Sequence, residues 1–234
     1  MPPPLTATPP LSHRAADGAV AARPPRKGQM TRAAIIEQAL SIARRDGLEG
    51  LTIGGLAERL DMSKSGVFAH FGSREELQLA VLKQYAERFV DTVLRPAVAS
   101  PRGLPRLRLM LENWLAHLAE ELEAGCILVA AACEYDDRPG PLHDALVAII
   151  EGWKDELLRA IRSAQSEGHL DRRADAHQMV FEIYGLMLAL HQDARLLRSG
   201  DSVQRARHGL ARLIEAARPR AAGVRAGRVR QRPN

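Results

Sequence analysis

The most informative side chains of this sequence can form hydrogen bonds or carry charge, and they are not a catalytic set. They lie together in one short segment. Lys64 can donate to the O6 and N7 atoms of guanine, and Ser65 can donate or accept. Gly66 has no side chain, so a helix that contains it can approach a partner closely. Phe68 and Ala69 can contact a thymine methyl group or a sugar. These residues predict a helix that reads base edges in the DNA major groove.

Two short helices joined by a tight turn must position these side chains. Thr52 and Ser63 can cap the first and second helix, because a hydroxyl can accept a hydrogen bond from a free helix N–H. Asp61 lies in the turn, where Asp tolerates the left-handed conformation. The segment is too short for its own core, so it must pack on a third helix, predicted over 31–45 and ended by Gly47. This arrangement is a helix-turn-helix.

Contacts that position the protein on DNA are predicted at helix ends. Thr52, His70 and Arg74 are placed to meet phosphates, and the positive amino-terminal ends of helices favour such contacts. Ser63, as the cap of the reading helix, completes the predicted DNA-binding set. Two alternatives remain open: His70 can be a partly buried residue between helices, and Phe68 can pack within the domain.

At this point the chain resembles the tetracycline-repressor (TetR) family of bacterial transcription regulators over roughly residues 30 to 80. The match is specific because many positions agree in order and spacing. One position departs from the family pattern, since lysine is common where this chain has Arg74; arginine keeps the charge but is planar and forked. The positions that carry the resemblance are Ala39, Gly47, Leu51, Thr52, Leu56, Ala57, Ser63, Val67, Phe68, Ala69, His70, Phe71, Ser73, Arg74, Glu75, Glu76 and Leu77.

The resemblance implies an all-α protein with a carboxy-terminal helical domain that dimerises and often binds a small molecule. The helical pattern allows this, with a DNA-binding domain at 30–75 and a regulatory domain at 76–217. The two ends, 1–29 and 218–234, are predicted to be disordered basic arms with net charges of +3 and +6, which leaves a mildly acidic body. Such arms can add salt-sensitive affinity for phosphates, or they can be solubilising ends.

A candidate ligand pocket is predicted among the middle helices of the regulatory domain. Trp114, His117, Trp153, Tyr184 and His191 are large or polar residues on otherwise apolar helices. A largely apolar pocket with few polar anchors is typical of small-molecule sites. The alternative for each of these residues is a place in the core or in an interface.

Several other classes of site are not expected. No nucleophile elbow, phosphate loop or zinc-ligand spacing occurs, so neither catalysis nor a cofactor is predicted. The acidic stretch at 134–144 favours a turn with helix caps over a metal site. Cys126 and Cys133 are predicted to be small buried residues, with a redox-sensing pair as the alternative. No apolar run is long enough to span a bilayer and the amino terminus lacks a signal-peptide core, so a cytoplasmic protein is expected.

The sequence therefore predicts a homodimeric regulator of transcription. One reading helix spans too few base pairs for selectivity, whereas a two-fold dimer presents two such helices about 34 Å apart to a palindromic operator in double-stranded DNA. The expected mode of action is repression, released by a small apolar or aromatic effector. A DNA-binding factor without an effector and a redox-responsive factor remain as alternatives.

Overall fold

The computed structural model describes residues 27–219, and this part of the chain consists of helices joined by short turns, without a strand. The all-α prediction is confirmed. No helix within 27–219 is long and apolar enough to cross a membrane. The helices are α1 (Lys27–Asp46), α2 (Ile53–Arg59), α3 (Lys64–Phe71), α4 (Arg74–Phe89), a π-helical turn (Val90–Leu94), α5 (Arg95–Val98), α6 (Leu104–Ala124), α7 (Ile127–Tyr135), α8 (Pro141–Ser166), α9 (Ala176–Arg195) and α10 (Ser202–Ala216).

Local capping explains where several helices begin. Thr52, Ser63 and Ser73 each accept a hydrogen bond from the backbone N–H three residues ahead, at 3.0 to 3.1 Å. Asp175 caps α9 by accepting from two backbone N–H groups. The predicted left-handed turn at Asp61 is confirmed by a φ of 51°. These ends are set by the sequence nearby, because each cap reaches no further than three residues.

α4 continues as a helix beyond Phe89, but with a different geometry. It passes through the π-helical turn Val90–Leu94 into α5, which carries Pro96. Proline has no N–H to donate to the carbonyl four residues earlier, and its ring would press on that carbonyl in a regular helix. A wider π-type turn just before Pro96 accommodates the missing hydrogen bond.

One continuous hydrophobic core extends from α1 to α10. Val67 and Phe71 of α3 are buried in it near the amino terminus, and α4 packs against α1, α8 and the π-helical turn. α4 therefore crosses the predicted domain boundary at residue 75 and belongs to both halves of the molecule. Most of the two predicted arms, 1–26 and 220–234, lies outside the described residues, whereas residues 27–29 lie within α1.

α7 differs from what its sequence predicts. The continuous apolar run at 127–133 predicts a helix buried on all sides, but Leu128 and Val129 are only half-buried, and the fully buried residues of α7 are Ile127, Ala131 and Tyr135. These residues are four apart, the spacing of a single helical face. Cys133 lies on the opposite face and is exposed, so the expectation of two buried cysteines is wrong for this residue.

Candidate nucleic-acid interface and regulatory core

α3 presents one face to the core and the other to solvent. Val67 and Phe71 are 0% and 4% exposed, whereas Phe68 is 51% exposed. A helix of eight residues held by two buried side chains has a fixed orientation, and Phe68 is then not available for packing within the domain. The predicted reading residues on the outer face are Lys64, Ser65, Phe68 and Ala69, all exposed, together with the half-buried Gly66.

The start of α3 is a small hydrogen-bonded unit. The Ser63 hydroxyl accepts from the N–H of Gly66 at 3.0 Å, and its oxygen lies 3.1 Å from that of Ser65. The Lys64 side chain lies across α2, where its Cε would be 3.2 Å from a Cβ on residue 54. Gly54 therefore leaves the room that Lys64 occupies, a contact that the spacing of the sequence does not indicate.

The three predicted phosphate-binding residues differ in what they do within the protein. The Thr52 hydroxyl accepts from the N–H of Gly55, and a hydroxyl that accepts still has a proton to donate. His70 is half-buried, with its ring tilted against Phe71 at 6.4 Å between centroids. The phosphate contacts of Thr52 and His70 remain predictions.

The guanidinium of Arg74 forms hydrogen bonds with other residues of the protein. Its Nε donates to the carbonyl oxygen of Leu51 at 2.9 Å, and one terminal nitrogen donates to the carbonyl of Glu49 at 2.5 Å and to its carboxylate at 3.1 Å. The start of α4 lies beside the turn that precedes α2, so the planar fork of arginine fits two carbonyls there. Arg74 thus stabilises the turn, and its phosphate contact remains a prediction.

In the regulatory half, the structure brings four of the five predicted pocket residues together around Phe89. Trp114 and Trp153 meet at 5.1 Å between ring centroids, and Phe89 lies 6.3 and 4.8 Å from them. Tyr184 lies 5.8 Å from Trp114. His117 joins through Phe89 at 5.3 Å. We name Phe89, Trp114, His117, Trp153 and Tyr184 the aromatic cluster.

The aromatic cluster is packed, because most of its rings meet edge to face at contact distance. A ligand that lies between these rings would have to separate them. The indole N–H of Trp153 is an unsatisfied donor, because it is buried without a hydrogen-bond partner. His191 does not share a ring contact with the cluster in the described structure, and its Nε2 is likewise buried without a partner.

A buried polar network borders the cluster on the side of α1. Tyr85 donates to Glu121 at 2.8 Å, and His117 lies 3.5 Å from the other oxygen of that carboxylate. Arg44, from the DNA-binding half, lies 3.7 Å from the same oxygen. Burial, reinforced by the nearby Cys126 and Glu121, raises the pKa of the Tyr85 phenol well above its usual value, so this side chain acts as a hydrogen-bond donor.

The two cysteines have opposite environments, and this predicts their reactivity. Cys126 is buried, and burial raises the pKa of its thiol to about 11, whereas Cys133 is exposed. Because the thiolate is the reactive form, we expect one thiol per native chain to react rapidly with an aromatic disulfide reagent and the second to react only in denaturant. A Cys133→Ser variant should lose the rapid phase. Two rapid thiols in the native protein would contradict this assignment.

Two half-buried histidines predict a loss of stability in mild acid. Burial lowers the pKa of His117 and of His191, the latter with help from Arg195. The unfolded chain then binds more protons than the folded one below the ordinary histidine pKa, so the stabilising contribution is full above that pKa and is lost as the pH falls. We expect the melting temperature to fall between about pH 7.5 and about pH 5.5. His191→Asn should reduce this slope, and a slope equal to that of the wild type would exclude the assignment.

The outer face of α9 is apolar and uncovered in the single chain. Phe181 and Leu188, two turns apart on α9, are 72% and 44% exposed, and Leu196, the residue that follows the helix, is 70% exposed. α9 packs closely on α10, where Gly209 makes room for Leu186, since a Cβ at residue 209 would lie 2.9 Å from the leucine side chain. Within residues 27–219, no group of three or more His, Cys, Asp or Glu side chains is arranged to hold a metal.

Known proteins resemble both halves of the chain. Residues 35–81 match the family model described as bacterial regulatory proteins, tetR family, and residues 103–210 match the tetracyclin repressor-like, C-terminal domain. The transcriptional regulator TcmR of Streptomyces glaucescens is 30% identical over 159 residues, 66% of this chain and 63% of that protein. The transcriptional repressor AcnR of Corynebacterium efficiens is 36% identical over 84 residues, 36% of this chain and 42% of that protein.

The aligned stretch thus spans less than two thirds of either relative's length. A TetR-family regulator from Cytophaga hutchinsonii has the same fold, with a TM-score of 0.72 at 20% identity over 85% of this chain and all of that one. The two family matches fall on α1–α4 and on α6–α10, the two halves that the helices define. The chain belongs to the TetR family of bacterial transcriptional regulators.

Proposed function

We propose that this protein is a homodimeric, sequence-specific DNA-binding repressor of a palindromic operator. The observation that carries the proposal is the outer face of α3, where Lys64, Ser65 and Phe68 are exposed on a helix anchored by Val67 and Phe71. Donors and an apolar ring on a rigid short helix suit base edges and thymine methyl groups. The function calls for no catalysis and no cofactor, and its DNA target places it in the cytoplasm.

A second copy of the chain would add a second reading helix, because one such helix spans too few base pairs for selectivity. Basic and acidic residues balance between residues 31 and 75, six of each, so bulk charge does not hold this half on DNA. The exposed apolar face of α9, with Phe181 and Leu188, gives a surface for two-fold association. Two reading helices about 34 Å apart then meet successive turns of one face of the duplex.

The effector that we propose is small and apolar or aromatic, and it acts at the aromatic cluster. α4 contributes Phe89 to the cluster, its Tyr85 contacts His117 of the cluster, and its first turn reaches the DNA-binding half. An effector that displaces ring contacts there and uses the free indole N–H of Trp153 would shift α4. Release from DNA requires that it bind the released form more tightly than the DNA-bound form.

Selection from a random duplex library tests the DNA-reading proposal, and it requires no assumption about the operator sequence. The full-length protein should enrich an inverted repeat whose half-site centres are separated by about one helical turn or a multiple of it. A final pool indistinguishable from the starting library would refute sequence-specific binding. An enriched sequence without two-fold symmetry would refute the dimeric mode.

Tryptophan fluorescence distinguishes an effector-responsive repressor from a DNA-binding factor without an effector. The chain has only two tryptophans, Trp114 and Trp153, and both belong to the aromatic cluster. Any compound that enters the cluster must therefore alter the intrinsic emission, and an effector must also release the selected operator. Compounds that alter neither signal across a broad apolar library would favour the alternative.

A further inference from the structure

We propose that Glu134 and Tyr135, at the end of α7, are positioning residues for DNA reading. They hold the turn at residues 47–51, which joins α1 to α2, and through it the helix-turn-helix. The inference rests on the proposed DNA-binding function and adds to it a fixed mechanical link between the regulatory half and the reading helix.

Glu134 holds the backbone donors of the turn. Its Oε2 accepts from the N–H of Leu48 at 3.0 Å and from the N–H of Glu49 at 3.3 Å. These groups follow Gly47, which ends α1 in the left-handed conformation with a φ of 75°. A Cβ on residue 47 would overlap Oε1 of Glu134, so a side chain at this position would displace the carboxylate.

Tyr135 and Gln78 complete the contact from the next residue of α7 and from α4. The Tyr135 hydroxyl donates to the Glu49 carboxylate at 2.5 Å. Gln78 is 3% exposed, and its amide donates to the carbonyl of Leu48 at 2.6 Å and lies 3.4 Å from the Tyr135 oxygen. A buried amide with both partners in place fixes the separation of α4, α7 and the turn.

The turn thus has two of its N–H groups bound by α7 and three of its carbonyls bound by α4. On the α4 side, Arg74 donates to the carbonyls of Glu49 and Leu51. The next residue, Thr52, is the cap of α2, and α2 packs on α3. A displacement of α7 therefore moves the start of α2 and the helix that reads DNA.

The matched pair Glu134→Ala and Glu134→Gln tests this role in the full-length protein. Both hydrogen bonds use a single oxygen, so the glutamine carbonyl can keep them, whereas alanine leaves two backbone donors unbound. We expect Glu134→Ala to weaken binding to the selected operator by about tenfold and to leave binding to a scrambled duplex unchanged. Glu134→Gln should stay within about threefold of the wild type.

Two glycines provide a second test that does not depend on Glu134→Ala being folded. Gly47 and Gly168 have nearly the same φ, 75° and 73°, so alanine strains the backbone equally at both. Only at residue 47 does the added methyl meet Glu134; at residue 168 nothing lies within 4 Å. We expect Gly47→Ala, and not Gly168→Ala, to lose operator preference. The double variant Gly47→Ala/Glu134→Ala should lose less operator preference than the sum of the losses of the two single variants, because the methyl group at residue 47 already displaces the carboxylate.

The outcomes separate this inference from the function on which it rests. A wild-type protein that does not distinguish operator from scrambled duplex overturns the proposed function and the positioning role with it. A wild type that distinguishes them, with Glu134→Ala and Gly47→Ala showing the same preference, overturns the positioning role alone. If Glu134→Ala melts below the assay temperature, Gly47→Ala against Gly168→Ala decides.

Discussion

Replacing Phe181 by Glu is expected to convert the proposed dimer into monomers and to weaken operator binding by at least about 100-fold. Phe181 is 72% exposed in the single chain and lies on the apolar face of α9 that a second copy would cover. A carboxylate buried there, twice per dimer, would be desolvated without a partner. The loss of affinity follows because a monomer engages only one half-site.

Light scattering after size-exclusion chromatography measures the mass, and anisotropy on the selected duplex measures the affinity. Val147→Glu is the matched control, because Val147 is an exposed apolar residue on α8, 38% exposed, outside the proposed dimer face. It should remain dimeric and bind as the wild type does. A Phe181→Glu protein that elutes as a dimer would show that this face is not the interface.

Replacing Lys64 by Ala is expected to lower the preference for the selected operator over a scrambled duplex by about tenfold per half-site, and by up to about 100-fold for the dimer. Lys64 is exposed at the start of α3 and can reach the hydrogen-bond acceptors of guanine. Because its side chain is outside the core, the melting temperature should change little. The loss should appear in specific rather than in non-specific binding.

Lys83→Ala is the control for loss of charge. The Lys83 side chain is 79% exposed on α4, beside Glu87, and is not one of the predicted reading residues. The two variants have the same net charge, so a difference between them reports the position of the lysine and not bulk electrostatics. Equal losses of operator preference would mean that Lys64 contributes charge alone, and the assignment of α3 as the reading helix would fail.

The parts of the fold that depend on neighbouring residues could be predicted from the sequence. Thr52, Ser63 and Asp175 cap helices by hydrogen bonds to N–H groups two or three residues away, and Asp61 takes the left-handed turn. Each of these features is decided by residue type and local spacing. The resemblance to a known family then indicated a role for the carboxy-terminal helices in dimerisation and ligand binding.

Contacts between distant residues could not be predicted in the same way. Glu134 binds a turn 86 residues earlier, and nothing in its local pattern indicates that partner. The place of Arg74 at a helix start predicts a phosphate ligand, yet its guanidinium is bound to Glu49 and Leu51. Sequence spacing indicates which face of a helix a residue occupies, but not which other element lies against that face.

The candidate pocket shows the same limit. Large residues on apolar helices indicate Trp114, Trp153 and Tyr184, and the structure brings these together. Phe89 could not be singled out, although it contacts both tryptophans, because a phenylalanine in an amphipathic helix is ordinary core. His191 does not join the cluster's ring contacts, since a helical period does not say which residues of a face share one neighbour.

The most direct measurement is anisotropy of the full-length protein on the selected operator and on a scrambled duplex of the same composition, across a salt series. We expect saturation at two chains per duplex and a preference for the operator of at least about 1,000-fold that persists as salt weakens both interactions. Equal affinity for the two duplexes at every salt concentration would contradict a sequence-reading repressor.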